Sequence, residues 1–452
     1  DHLIRDGDEE GHVGAAELFM GDLNNRDWIG FIERLWIGPM GEYPQAFAAS
    51  VGGWWWAWGG GLPSATGVRA ICLLSILVTA FATARMARRY LPPEQSNSGE
   101  VVAYITVLLL PLGNGLSRHF MPEGALMGAV ALSLLFAHRL VERPSMARAL
   151  TLGSVLGLGC LTKQTFVFLV FIPLVWVLRR LGRQSTSMVA ITLGTAILIS
   201  GPWWMLNAFD QITYGAHSLA NHSGGGLLDH LLYYPKVLVF LGLGPSLALA
   251  AALAARIVRD QPDRRGWLFG LVWLFGGLLV LTLIPKKYPR LLAPLTPAIA
   301  IWIAILWVRS TRSKTTLTLL GVGAVANLWL ASSNPKFSIK TTNSVDAGCP
   351  QIWLRQPVPD DHGLATVQRI LADKPPGAIF VAKDYEIPCH IQTTHRWSHH
   401  LAPYLRRAGL ERRVHTDASQ PHDFVVRVGP DEGPISIWKQ SVHLDIRDRL
   451  SP

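Results

Sequence analysis

Charge is scarce in this chain. Only 16% of its 452 residues are Asp, Glu, Lys or Arg and half are hydrophobic, a balance that excludes an ordinary water-soluble globule and fits a chain whose solvent is mostly lipid. Cysteine is scarcer still. Of the four, Cys72 and Cys160 lie inside apolar runs, while Cys349 and Cys389 lie in a polar tail and are expected to pair if that tail meets an oxidising compartment. No internal repeat period is evident, which takes weight from solenoids and from obvious inverted-repeat transporters. The chain opens at Asp1 without a signal-peptide hydrophobic region, although its acidic first segment reads as exported. A further membrane span upstream of this sequence is therefore expected.

What the chain does have is a series of apolar segments of helix-spanning length. Ten are expected, over residues 68–90, 100–113, 123–141, 150–162, 164–178, 187–206, 234–256, 267–284, 291–308 and 315–332. Arginine and lysine mark every second gap: Arg85, Arg88 and Arg89; Arg139, Arg143 and Arg148; Arg179, Arg180 and Arg183; Arg256, Arg259, Arg264 and Arg265; Arg309, Arg312 and Lys314. Positive-inside bias makes that side cytoplasmic. The net charge of +10 is thus largely a topology signal with contacts to membrane lipids, and a nucleic-acid partner is excluded. The fold class expected is mainly α, a polytopic helical membrane bundle with a small external α/β C-terminal domain. Residues 1–332 form the membrane domain, in which the tryptophans 54–56 and 58 anchor a helix in the membrane interface. Residues 333–452 form the external domain, with β-rich runs at 378–382, 424–428 and 435–438 and helical patterns at 363–373 and 401–408.

The polar residues with chemical promise gather on the outward side. Asp8 and Glu9 stand in an acidic, glycine-punctuated opening, where carboxylates above a membrane can deprotonate an acceptor hydroxyl or hold a divalent cation. An acid-rich helix N-terminus is the plainer explanation of the same residues. Arg118 lies in a short outward loop, and Glu123 follows Pro122 at the mouth of the next span. Lys163 interrupts an apolar stretch, a placement costing about 2–3 kcal/mol unless the charge has a cavity or partner. Lys286, Lys287, Tyr288 and Arg290 then put three cations and a phenol at another outward helix end. Carboxylates and cations at one interface suit phosphate capture beside acid–base chemistry. Helix-end snorkelling also accounts for Lys287 and Arg290.

In chain order, the pair Asp8–Glu9, Tyr43-Pro44, the acidic residue after Pro122, Leu161-Thr162-Lys163, Gly201-Pro202-Trp203-Trp204 and the stretch 288–297 resemble the GT-C glycosyltransferases. The nearest branch is that of the protein O-mannosyltransferases and the lipid A aminoarabinose transferase, and the resemblance covers nearly the whole membrane part. It implies a polyprenyl-phosphate-linked sugar as donor, an acceptor that is a lipid, glycan or protein, and inversion by single displacement at the outer face of a bacterial inner membrane. Residue by residue, Asp8 matches the catalytic carboxylate of the first loop, with Glu9 beside it, and Glu123 matches a second-loop acid that is commonly aspartate. Lys163 and Arg290 match positions near the donor phosphate, a role to which Arg118, Lys287 and Tyr288 are added by charge and side. His12 departs from the family's usual aromatic.

Two further features point less sharply. The loop 207–233, with Gly224, Gly225, Gly226 and His217, His222 and His230, is long and glycine-rich enough to act as a lid. His395 and His399 have an i, i+4 spacing, but no cysteine ligands accompany them in a zinc pattern. A transporter or flippase for a lipid-linked or anionic solute is the competing function, and it would place polar residues near mid-span rather than at one face. A non-catalytic scaffold with a binding tail is the third.

Overall fold

In the computed structural model, the described residues are 7–37, 44–58, 65–116, 122–182, 186–213, 216, 227–257, 265–284, 287, 289–310, 315, 318–323 and 325–326, together with five short strands beyond residue 378. Two compact units are present, residues 14–355 and a second made of residues 1–13 and 356–452. The first is a helical membrane bundle.

Its helices are α1 (Gly7–Asn24, which begins in the other unit), α2 (Trp28–Trp36), α3 (Ala46–Ala57), α4 (Ala65–Arg88), α5 (Ser96–Leu109), α6 (Pro111–Leu116), α7 (Pro122–Glu142), α8 (Met146–Cys160), α9 (Phe166–Leu178), α10 (Thr186–Leu206), α11 (Leu227–Val237), α12 (Pro245–Ile257), α13 (Arg265–Leu283) and α14 (Thr296–Ser310). Five segments are long and apolar enough to cross a membrane: Ala70–Arg88, Pro122–Glu142, Thr186–Leu206, Arg265–Leu283 and Arg290–Arg309. The chain is therefore an integral membrane protein. Eight of the ten expected spans coincide with helices of the bundle. The last, 315–332, lies mostly outside the described residues. The segment 234–256 is a correction. Instead of one span it is broken into the end of α11, a π-helical turn at Leu238–Leu243, and α12. The break has local causes, since Pro235 lacks an amide hydrogen and Gly244 takes φ 71°, a conformation that only glycine adopts without strain.

Packing follows the demands of a lipid solvent. Thr79 donates to Ser75 O at 2.7 Å, Thr83 to Thr79 O at 2.7 Å and Ser133 to Ala129 O at 2.8 Å, so these buried hydroxyls are satisfied within their own helices. Helix α8 lies tightly on α10 because Gly153 and Gly157 present no side chain there. A Cβ on Gly153 would stand 2.5 Å from Thr192 O, and one on Gly157 2.8 Å from Ile199 Cβ. Near the basic end, Tyr90 Oη and His138 Nε2 are 3.0 Å apart and both rings contact Phe269, which joins the turn after α4 to α7 and α13.

In the N-terminal segment, α1 and α2 are tied together. Asp27 caps α2 by accepting from Gly30 N at 2.9 Å, and Asp22 receives Arg34 Nε at 2.6 Å. Trp28, Ile29 and Ile32 of α2 are exposed, so α2 presents an apolar face as an in-plane helix does. The tryptophan cluster divides. Trp56 and Trp58 are exposed, whereas Trp55 is buried.

Unit 2 contains a five-stranded sheet of β1 (Ile379–Val381), β2 (Val414–His415), β3 (Phe424–Arg427), β4 (Ser436–Lys439) and β5 (Val442–Leu444) in the order β2-β1-β3-β4-β5. β1 pairs in parallel with β2 and β3, while β3–β4 and β4–β5 are antiparallel. Three of these strands overlap the β-rich runs of the sequence. The helical patterns of the tail, Cys349, Cys389, His395 and His399 lie outside the described residues.

Candidate active site

Glu123 sits in the first turn of α7, just after Pro122. Proline suits the first helical position, and an acid there faces the positive end of the helix dipole. Its side chain is completely buried. Such a charge needs partners, and two cations supply them: Lys163 Nζ stands 2.6 Å and Arg290 Nε 3.1 Å from the same oxygen, Oε1. The second oxygen, Oε2, is buried without a hydrogen-bond partner among the described residues.

Each cation is delivered by a break in helical structure. Lys163 occupies the short turn between α8 and α9. Those helices have 15 and 13 residues, rises of about 22 and about 20 Å, against a hydrocarbon core about 30 Å thick. Both start or end beside arginines of the basic end, Arg148 and Arg179. The turn thus leaves Lys163 recessed from the opposite boundary, where its side chain is 12% exposed. Arg290 belongs to a 3-10 segment, Pro289–Leu295, that leads into α14. Its side chain is 17% exposed, so both cations border solvent while their shared carboxylate does not.

Lys163 and Arg290 meet at one carboxylate oxygen. Lys163 Nζ donates only to Glu123 among the described residues, and an ammonium carries three hydrogens. The ammonium of Lys163 can therefore also bind an anion directly. Glu123 is paired with both cations through one oxygen.

Lys287 is used differently. Its Nζ donates to Leu281 O at 2.9 Å, Thr282 O at 2.7 Å and Ile284 O at 2.6 Å, the free carbonyls at the end of α13. All three ammonium hydrogens are taken. The charge also lies 5.2 Å from the centre of the Tyr234 ring, and Tyr233 Oη donates to Lys287 O at 3.4 Å. Burial pulls the Lys287 ammonium down to about 8 from its ordinary 10.5. Lys287 is thus a helix cap tying α13 to α11.

Asp8 and Glu9 lie in the first turns of α1; their side chains fall outside the described residues, as do Arg118 and Tyr288. Among the described residues no group of three or more His, Cys, Asp or Glu forms a metal site. The expected lid begins differently from its sequence pattern, because helix continues over residues 208–213. Asn207, at its root, donates to Trp36 O at 2.8 Å and to Trp203 O at 2.9 Å, which fastens the end of α10 to α2. Sequence reasoning missed this clasp. Residues 217–226 lie outside the described residues.

A profile of the dolichyl-phosphate-mannose-protein mannosyltransferase family matches residues 49–205. No curated protein sequence matches. Among solved structures, ArnT from Cupriavidus metallidurans in the apo state is similar at 16% identity with a TM-score of 0.56, covering 94% of this chain and 88% of that one. ArnT bound to undecaprenyl phosphate is similar at 15% identity with a TM-score of 0.57, covering 87% of this chain and 81% of that one. The chain therefore has the GT-C fold of ArnT, and part of its membrane domain carries the sequence pattern of the dolichyl-phosphate-mannose-protein mannosyltransferases.

Proposed function

We propose that the protein is a membrane glycosyltransferase that moves a sugar from a polyprenyl-phosphate donor to a lipid, glycan or protein acceptor, at the outer face of a bacterial inner membrane. The observation that carries this reading is the Lys163–Glu123–Arg290 cluster: two partly exposed cations held together by one buried carboxylate. It is supported by the fold shared with ArnT, one structure of which holds undecaprenyl phosphate.

The chemistry suits that arrangement. The bond between the anomeric carbon and the phosphate oxygen breaks, and its electron pair leaves with the phosphate. Cations already in place stabilise that charge, so the leaving group needs no proton. The acceptor oxygen attacks the opposite face of the sugar and inverts the anomeric centre. Asp8 takes the acceptor's proton in this scheme, with Glu9 beside it. Lys163 and Arg290 hold the phosphate, and Glu123 sets the spacing between them. If the pair Asp8 and Glu9 holds a divalent cation, its part is to polarise the acceptor.

The competing reading, a flippase for the same lipid, is disfavoured by position. Glu123 lies in the first turn of a 21-residue span, whereas alternating access needs polar groups near mid-span. The deciding experiment supplies membranes with a panel of radiolabelled polyprenyl-phosphate sugars. Transfer of label to an acceptor with release of polyprenyl phosphate supports the enzyme. Label that changes leaflet while still attached to the lipid sinks it in favour of the flippase. Asp8→Asn should cut turnover by about two to four orders of magnitude while donor still binds; undiminished turnover removes Asp8 as the base.

A further inference from the structure

At the other end of the same bundle, four arginines surround a cavity of about 440 Å³. They are Arg89, just after α4, Arg139 on α7, Arg143 just after α7, and Arg148 on α8. One acid, Glu142, faces them, and it pairs with Arg89. Glu123 and Glu142 are 19 residues apart on one helix, a rise of about 28 Å. This cavity is therefore separate from the candidate active site.

Positive-inside bias alone requires only solvated arginines at this face. These are held. Arg148 Nη1 donates to Arg139 O at 2.8 Å and Arg143 O at 3.0 Å, which caps α7 and fixes the guanidinium at the rim. The Arg139 guanidinium lies over the Phe136 ring at 5.2 Å. Arg89 Nε is buried with no hydrogen-bond partner among the described residues, although an unmet buried donor is costly. Burial and the Arg139 charge both press Arg89 below its ordinary value, as expected where four arginines share a site with the single carboxylate of Glu142. A second cavity of about 390 Å³ adjoins the first through Arg89, Arg139 and Glu142, so there is room for more than a bare ion.

We propose that this cavity binds a phosphate-bearing anion, with Arg89, Arg139 and Arg143 as its ligands and Arg148 as the fixed rim. Guanidinium groups match phosphate oxygens in paired hydrogen bonds, and Arg89 Nε gains the acceptor it lacks. Two sources share this chemistry, an anionic lipid headgroup and free phosphate. A headgroup has the cavity's place at the bundle end in its favour.

The test uses the purified chain in neutral detergent at constant ionic strength. Its thermal midpoint is followed during titration with short-chain phosphatidylglycerol, phosphatidylcholine of the same chain length, or inorganic phosphate. A saturable rise with phosphatidylglycerol and none with phosphatidylcholine is expected. The double variant R139Q/R143Q should weaken the apparent affinity about ten- to a hundredfold. R179Q/R180Q, which alters a neighbouring basic gap stacked on Trp176 at 5.0 and 4.4 Å, should not. Saturation by the lipid where phosphate has no effect identifies a headgroup, whereas saturation by phosphate, alone or in competition with the lipid, identifies a phosphate site. If R139Q/R143Q does not fold, R143Q alone, at an exposed position, gives the same comparison. No saturable shift with either anion overturns the proposal, as does a shift of equal affinity in the Arg139 and Arg143 variants. Glycosyl transfer plays no part in the readout, so this result and the proposed reaction stand or fall separately.

Discussion

Lys163 Nζ and Glu123 Oε1 meet at 2.6 Å across forty residues of chain, and the carboxylate they share with Arg290 is wholly buried. Removing one member of such a group leaves the others uncompensated, which costs far more than the group contributes when complete.

Glu123→Gln should accordingly lower stability by about 3–5 kcal/mol, since Lys163 and Arg290 then lose the carboxylate they share. Adding Lys163→Met to it should recover part of that loss, because the ammonium that donated to Glu123 is removed with its partner. Thermal unfolding of the two single variants and the double gives the coupling. Strictly additive losses would mean that the ion pair contributes nothing to the fold.

Lys163→Ala should weaken donor binding as well as slow turnover. A phosphate contact acts in the ground state and the transition state alike, so KM rises along with any fall in kcat. Asp8→Asn should differ by lowering kcat with KM nearly unchanged. Steady-state kinetics with a water-soluble, short-chain donor separate the two patterns. An unchanged KM in Lys163→Ala would place the donor phosphate elsewhere.

Lys287 provides a pH dependence. Its folded value is about 8, below the ordinary 10.5, because of burial. Between those values the unfolded chain keeps a proton that the folded chain has released, so stability rises with pH across that window. The midpoint of the wild type should therefore gain on that of Lys287→Met between pH 8 and pH 10. The opposite trend would show that the three carbonyls accepting from the ammonium outweigh its burial.

Gly153→Ala should destabilise the bundle by about 1–3 kcal/mol, because its Cβ meets the backbone oxygen of Thr192 at 2.5 Å and that atom cannot move aside alone. Gly194→Ala, with nothing within 4 Å of its Cβ, should be neutral or stabilising through helix propensity. Unfolding midpoints of the two variants in the same detergent decide the matter. Equal effects would mean that α8 and α10 are not in close contact.

Hydropathy and the placement of arginine by themselves determined where the spans run and which helix ends are basic. Both properties are local, since a segment of about twenty apolar residues crosses a bilayer whatever its neighbours are. Sequence order also named Glu123, Lys163 and Arg290 as candidates for one site, and the structure brings the three together. Only the tertiary structure decided which of their atoms meet. Which cations reach a carboxylate depends on packing, and Glu123 takes one from the α8–α9 turn and another from the 3-10 segment before α14. Lys287 and Arg290 look alike in sequence, two cations at one helix end. Lys287 turns back onto three carbonyls because α13 stops at Leu283 and leaves them open, while Arg290, three residues on, reaches Glu123. The break of 234–256 was written in Pro235 and Gly244, but apolarity alone reads a straight span there. The clasp of Asn207 on Trp36 was invisible for the same reason. A hydrogen bond between distant segments exists only once packing has brought them together.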